Sequence, residues 1–177
     1  GGIWPEHCVA GTPGAELLPE LTALVAPEDI IIRKGVSGED GYSAFTVRNL
    51  LTEVEQPTKL NAQLQERQIE LITIAGVATD WCVRASALDA LAAGYAVEVV
   101  TRATASVNLQ PGDSATALAE IAAAAGGPAK GASIKALLIG GPSGGFVPAN
   151  LLASTPYSGK GLAAVGAHIG SGALLAI

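Results

Sequence analysis

The residues of this chain best suited to covalent chemistry are Cys82 and Lys34. Cys82 follows Gly76-Val77-Ala78-Thr79-Asp80-Trp81, a segment that leaves an apolar run and opens a helical pattern. A thiol at a helix start has its thiolate favoured by the partial positive charge of unpaired main-chain N–H groups. The same N–H groups can stabilise an oxyanion, as acyl transfer at a carbonyl requires. Lys34 ends a second apolar run, Ile30-Ile31-Ile32. An ammonium beside a thiol lowers the thiol pKa and can relay protons. The competing reading is plain packing, because most cysteine thiols are small buried hydrophobes and most lysines are solvated. Asp80 reads as a helix cap rather than a catalytic carboxylate.

Cys82 and Lys34 meet only if the elements carrying them end on the same side of a sheet. The run 30–32 is expected to be a buried strand that delivers Lys34 at its end. Residues 69–75 are apolar almost throughout, as in a strand covered on both faces. A helix is expected over 81–93, with Trp81, Ala85, Leu88 and Ala92 inward, then a strand over 96–101. Strand, helix and strand in succession point to a parallel sheet with flanking helices. In such a sheet the C-terminal strand ends converge on one crevice.

The remaining pattern predicts helices over 44–54, 58–67 and 115–125, a turn-rich linker over 108–113, and strands over 134–139 and 174–177. Leu17, Leu18, Leu21, Leu24 and Val25 recur at roughly helical spacing. No internal repeat is visible.

The chain has 177 residues, enough for one compact domain or two small ones. Charged residues make up 15% and aromatics 4%, with 22 Gly, so the core must be aliphatic and small. Disordered, collagenous and coiled-coil classes are excluded. A net charge of −6 speaks against nucleic acid as a partner. Residues 1–109 carry 14 acidic and 7 basic side chains, whereas 110–177 carry 2 and 3. That shift predicts two units, 1–109 and 110–177. Two cysteines make no disulfide framework, which fits a reducing, cytoplasmic setting. No membrane span or signal peptide is expected, and the uncharged tail 161–177 reads as buried core. The chain holds no Met and opens on Gly1-Gly2, so it is read as a fragment.

Five motifs in register then carry a family resemblance. They are Trp4-Pro5-Glu6-His7-Cys8-Val9-Ala10-Gly11-Thr12-Pro13-Gly14-Ala15, Arg33-Lys34-Gly35, Asp40-Gly41-Tyr42-Ser43-Ala44-Phe45, the run from Gly76 to Val83, and Ala87-Leu88-Asp89-Ala90. Together they resemble the nicotinamidase branch of the isochorismatase-like cysteine hydrolases over about residues 3–107. The resemblance implies a three-layer α/β/α fold, here incomplete, and hydrolysis of a small-molecule amide, nicotinamide, to nicotinate and ammonia through a thioester. It makes Cys82 the nucleophile and Lys34 the basic member of a triad. It further implies a cis peptide at Val77-Ala78 and an oxyanion hole from the N–H groups of Ala78 and Cys82. Trp4 and Tyr42 match pocket-lining aromatics, and Trp81 sits beside the nucleophile. His7 matches a ligand of a divalent metal (zinc, iron or manganese), although one ligand alone cannot hold a metal. The family's triad Asp and remaining metal ligands would precede Gly1, so impaired turnover is expected. Self-association is left open.

From about residue 114 onward the pattern is similar to a second family. Thr116-Ala117-Leu118-Ala119-Glu120-Ile121, Ala125-Gly126-Gly127-Pro128, the run from Ile134 through Gly140-Gly141-Pro142-Ser143-Gly144-Gly145 to Pro148, and Ala167 to Leu174 resemble the small α+β, β-grasp domain of NADH-dehydrogenase flavoprotein subunits. The glycine stretch lacks the Gly-Lys-Ser/Thr of a phosphate loop and reads as a tight turn. The alternative function is therefore a non-catalytic fragment or fusion that acts as a docking module, or a piece of such a flavoprotein.

Overall fold

The computed structural model describes residues 4–36, 38–126, 134–139 and 175–176. After a 3-10 turn at Pro13–Ala15 comes α1 (Pro19–Thr22). Three short strands, β1 (Glu39–Asp40), β2 (Thr46–Asn49) and β3 (Glu55–Pro57), form an antiparallel sheet in that order. α2 (Leu60–Glu66) leads to β4 (Leu71–Val77), a π-helical turn at Thr79–Val83, α3 (Arg84–Ala92) and β5 (Ala96–Ala105). α4 (Asp113–Ala124), β6 (Ile134–Ile139) and β7 (Leu175–Ala176) complete the described elements.

The second sheet is parallel, in the order β5-β4-β6-β7. Leu71 of β4 stands opposite Ala96 on one side and Ile134 on the other. β4 is buried from Leu71 to Gly76, as a strand between two neighbours and two covered faces must be. Alternation then divides its side chains. Ile72 and Ile74 enter the main core with Leu60, Leu64, Val83, Ala87, Ala90, Val97 and Ile121. Ala75 joins Leu21 in a second cluster. β6 lies beyond residue 110 and shares this sheet with β4.

α3 buries Ser86, Ala87 and Ala90, all small residues. α4 buries Ala117 and Ile121, packs on α3 and on the π-helical turn, and pairs Glu120 with Arg84. Among the described residues no helix is long and apolar enough to cross a membrane.

Several expectations need correction. Among the described residues no strand pairs with the run 30–32, so it is in no sheet; burial still alternates, with Ile32 and Lys34 inward and Ile31 and Arg33 outward. The segment 44–54 is not a helix. β-branched Thr46 and Val47 pair with Pro57 and Gln56, and Asn49 Oδ1 accepts the N–H groups of Leu51 and Thr52 to build the connecting turn. The buried side of α3 is 86, 87 and 90, not the row containing Ala85, Leu88 and Ala92. The glycine stretch 140–145, most of the tail 161–177 and most of the β-grasp-like reading of 110–177 lie outside the described residues.

Candidate active site

Gly76, near the end of β4, takes φ 115°, and the Val77-Ala78 peptide that closes the strand is cis. Ala78 is extended, and its carbonyl accepts the N–H groups of Trp81 at 3.1 Å and Val83 at 3.0 Å. The widened turn Thr79–Val83 carries Cys82, whose residue is only 2% exposed. The main-chain N–H groups of Ala78 and Cys82 favour the ionised form of the sulfur. These are the two groups expected to form an oxyanion hole.

Lys34 reaches the same place from the extended segment before β1. It is 3% exposed, a rare setting for a lysine unless its ammonium is partnered. Nζ donates to the carbonyls of Gly41 at 2.8 Å and Tyr42 at 2.7 Å, and it lies 3.8 Å from Cys82 Sγ. An ammonium has three N–H groups, and these three acceptors use them all. Gly41 cannot be replaced freely, since a Cβ there would lie 2.9 Å from the Thr46 carbonyl oxygen.

Burial disfavours charge on both partners. It pushes the Lys34 ammonium below its ordinary pKa, while Cys82 and then Asp40 pull it back up. Burial likewise pushes the Cys82 thiol above its ordinary value, opposed by Lys34 and the two N–H groups. The expectation of a depressed thiol is thus corrected: burial outweighs the neighbouring charge in the resting site. Thiol with amine and thiolate with ammonium then differ only by one proton moved across 3.8 Å.

Trp4, Tyr42 and Trp81 gather beside the pair. Trp81 meets Trp4 edge-on at 5.0 Å between ring centroids and Tyr42 at 4.9 Å with a tilt of 52°. Trp4 Nε1 donates to the Tyr42 hydroxyl at 3.1 Å. Tyr42 offers its carbonyl to Lys34, and Trp81 precedes Cys82 in the chain, so the aromatic group adjoins the reactive pair. His7 is exposed, with Nδ1 2.7 Å from the Pro5 carbonyl oxygen. Among the described residues no group of three or more His, Cys, Asp or Glu side chains could hold a metal. The described residues do not fit a resident metal ion.

Two residues carry more than the sequence reading assigned to them. Asp80 is not a cap of its own helix; its carboxylate accepts the N–H groups of Val107 at 3.0 Å and Asn108 at 2.7 Å, tying that loop to the Cys82 turn. Ser86, fully buried, accepts the Ala44 N–H at 2.8 Å. Nothing local in the sequence marks Ser86, because its partner Ala44 lies 42 positions away.

A parallel sheet, a turn carrying a buried cysteine after its central strand, and a lysine against that sulfur define a class. The isochorismatase domain family matches residues 2–132, and the chain belongs to it. Among its relatives, the nicotinamidase of Escherichia coli (strain K12) is 40% identical over 125 residues, which cover 69% of this chain and 55% of that protein. The chain therefore spans about half the length of the curated relatives it matches. PnC1 from L. infantum, solved in complex with nicotinate, superposes with a TM-score of 0.60 at 32% identity, covering 77% of this chain and 65% of that one. Pyrazinamidase of Pyrococcus horikoshii, solved in complex with zinc, gives 0.55 at 33% identity, covering 76% and 63%.

Proposed function

We propose that this chain is a nicotinamidase-like amidohydrolase site, hydrolysing the carboxamide of nicotinamide to nicotinate and ammonia through a Cys82 thioester. The observation that supports it most is the buried contact of 3.8 Å between Lys34 Nζ and Cys82 Sγ beside two main-chain N–H groups. The names of the relatives point to the same substrate.

In this mechanism one proton first passes from Cys82 Sγ to Lys34 Nζ across the 3.8 Å contact, giving thiolate and ammonium. Sγ attacks the carboxamide carbon, and the carbonyl electrons move to oxygen, where the N–H groups of Ala78 and Cys82 stabilise the negative charge. Lys34 gives its proton to the amide nitrogen, the C–N bond breaks, and ammonia leaves. Water then attacks the thioester carbon and passes a proton to Lys34. Expulsion of Sγ as thiolate restores the pair and releases the acid. Trp4, Tyr42 and Trp81, which contact one another beside the pair, supply aromatic faces suited to a flat heteroaromatic substrate ring. No step passes through a metal.

Turnover in this reading is slow. All three N–H groups of Lys34 already have acceptors, which leaves none for a carboxylate that would steady the lysine as its proton moves. The test is ammonia release from nicotinamide by the chain, by Cys82→Ala and by Lys34→Ala. The expected result is slow release that Cys82→Ala abolishes and Lys34→Ala lowers about 100-fold or more, as for a lost general acid–base group. Equal release by the chain and by Cys82→Ala would remove the enzymatic claim.

A further inference from the structure

Lys34 is held by two carbonyls, and those carbonyls belong to a segment that makes no regular sheet pairing of its own between Gly41 and Phe45. What fixes that segment is a set of contacts from elsewhere. Ser86 Oγ of α3 accepts the Ala44 N–H at 2.8 Å, and both residues are 0% exposed. Asp89 of the same helix accepts the Thr46 hydroxyl at 3.2 Å. On the other side Thr58 donates its hydroxyl to the Ala44 carbonyl at 2.7 Å, and its N–H bonds the Phe45 carbonyl at 2.8 Å. Ser86 lies four residues beyond Cys82, about one helical turn along the same helical segment. One helical segment therefore presents the sulfur and also grips the segment that aims the lysine at it.

We propose that Ser86, assisted by Asp89, is a positioning residue: it locks the Gly41–Tyr42 carbonyl pair in the place that directs the Lys34 ammonium at Cys82. The proposal rests on the reading of Lys34 and Cys82 as a reacting pair. A serine hydroxyl suits the task because its oxygen accepts from a main-chain N–H at short reach. The charges bearing on the pair are each other's and, on the lysine, that of Asp40. Neither Ser86 nor Asp89 acts on the sulfur directly, so their effect must travel through Lys34.

The test follows the alkylation rate of Cys82 against pH by mass spectrometry of its peptide, in the unsubstituted chain and in single and double variants. Lys34→Ala is expected to move the midpoint to higher pH by about 1–3 units, the usual effect of losing an opposite charge at this range. Ser86→Ala should move it the same way by about one unit, as part of that contact is lost. Ser86→Thr, which keeps the hydroxyl, should return it to the starting value. In a Lys34→Ala background, Ser86→Ala should add nothing. An unchanged midpoint in Ser86→Ala alongside a shifted one in Lys34→Ala overturns this inference alone. A full-sized shift by Ser86→Ala without the lysine does so too. An unchanged midpoint in Lys34→Ala overturns both this inference and the reading of the pair. Should Ser86→Ala not fold, Asp89→Ala reads the same quantity: a shift to higher pH supports the proposal, and the original midpoint overturns it.

Discussion

At the scale of single residues, the site is a contest between burial and neighbouring charge. Cys82 and Lys34 are nearly inaccessible, and desolvation drives each toward its neutral form. The sign follows directly. A thiol held above its ordinary pKa stays protonated at neutral pH, so Cys82 should react with a small alkylating agent more slowly than a free cysteine there and speed up toward alkaline pH. A rate profile centred at or below the ordinary thiol value would contradict this. Gly41 gives a second check. An Ala Cβ would press on the Thr46 carbonyl and disturb the Gly41 and Tyr42 carbonyls that hold Lys34. Gly41→Ala should therefore lower stability by about 1 kcal/mol or more in denaturant titrations, and ammonia release with it. The places of Lys34 and Cys82, the pair proposed to react, were legible from the apolar runs before them. The role of Ser86 was not, because its partner Ala44 is 42 positions away in the chain and nothing local marks the pair.

At the scale of elements, long apolar runs declared themselves and short polar strands did not. β4 and β6 follow from continuous aliphatic runs, and the π-helical turn with α3 and β5 completes the expected strand–helix–strand unit. β2 and β3 were hidden because Arg48, Asn49 and all of β3 are exposed, which leaves no alternation to read. The run 30–32 misled for the opposite reason: β-branched residues favour extended chain, but a sheet strand also needs a partner. β4 anchors the whole arrangement. Ile74 is fully buried, so Ile74→Ala should cost about 2–5 kcal/mol by chemical denaturation. The Asp80 tie is a smaller contribution. Asp80→Ala should speed hydrogen exchange at the Val107 and Asn108 amides while leaving exchange in β4 unchanged; equal exchange at those two amides would show that the tie holds nothing.

At the scale of the whole molecule, two covered faces of one parallel sheet bring a segment before β1 and a turn after β4 to a common point. Both lie within residues 2–132, the span that matches the isochorismatase domain family. The central claim is that this sulfur forms a covalent acyl intermediate. Incubating the chain with nicotinamide, quenching in acid and weighing the Cys82 peptide tests it most directly. A nicotinoyl thioester is expected on that peptide, with ammonia released above the level of Cys82→Ala. An unmodified Cys82 peptide together with no more ammonia than Cys82→Ala produces would contradict it.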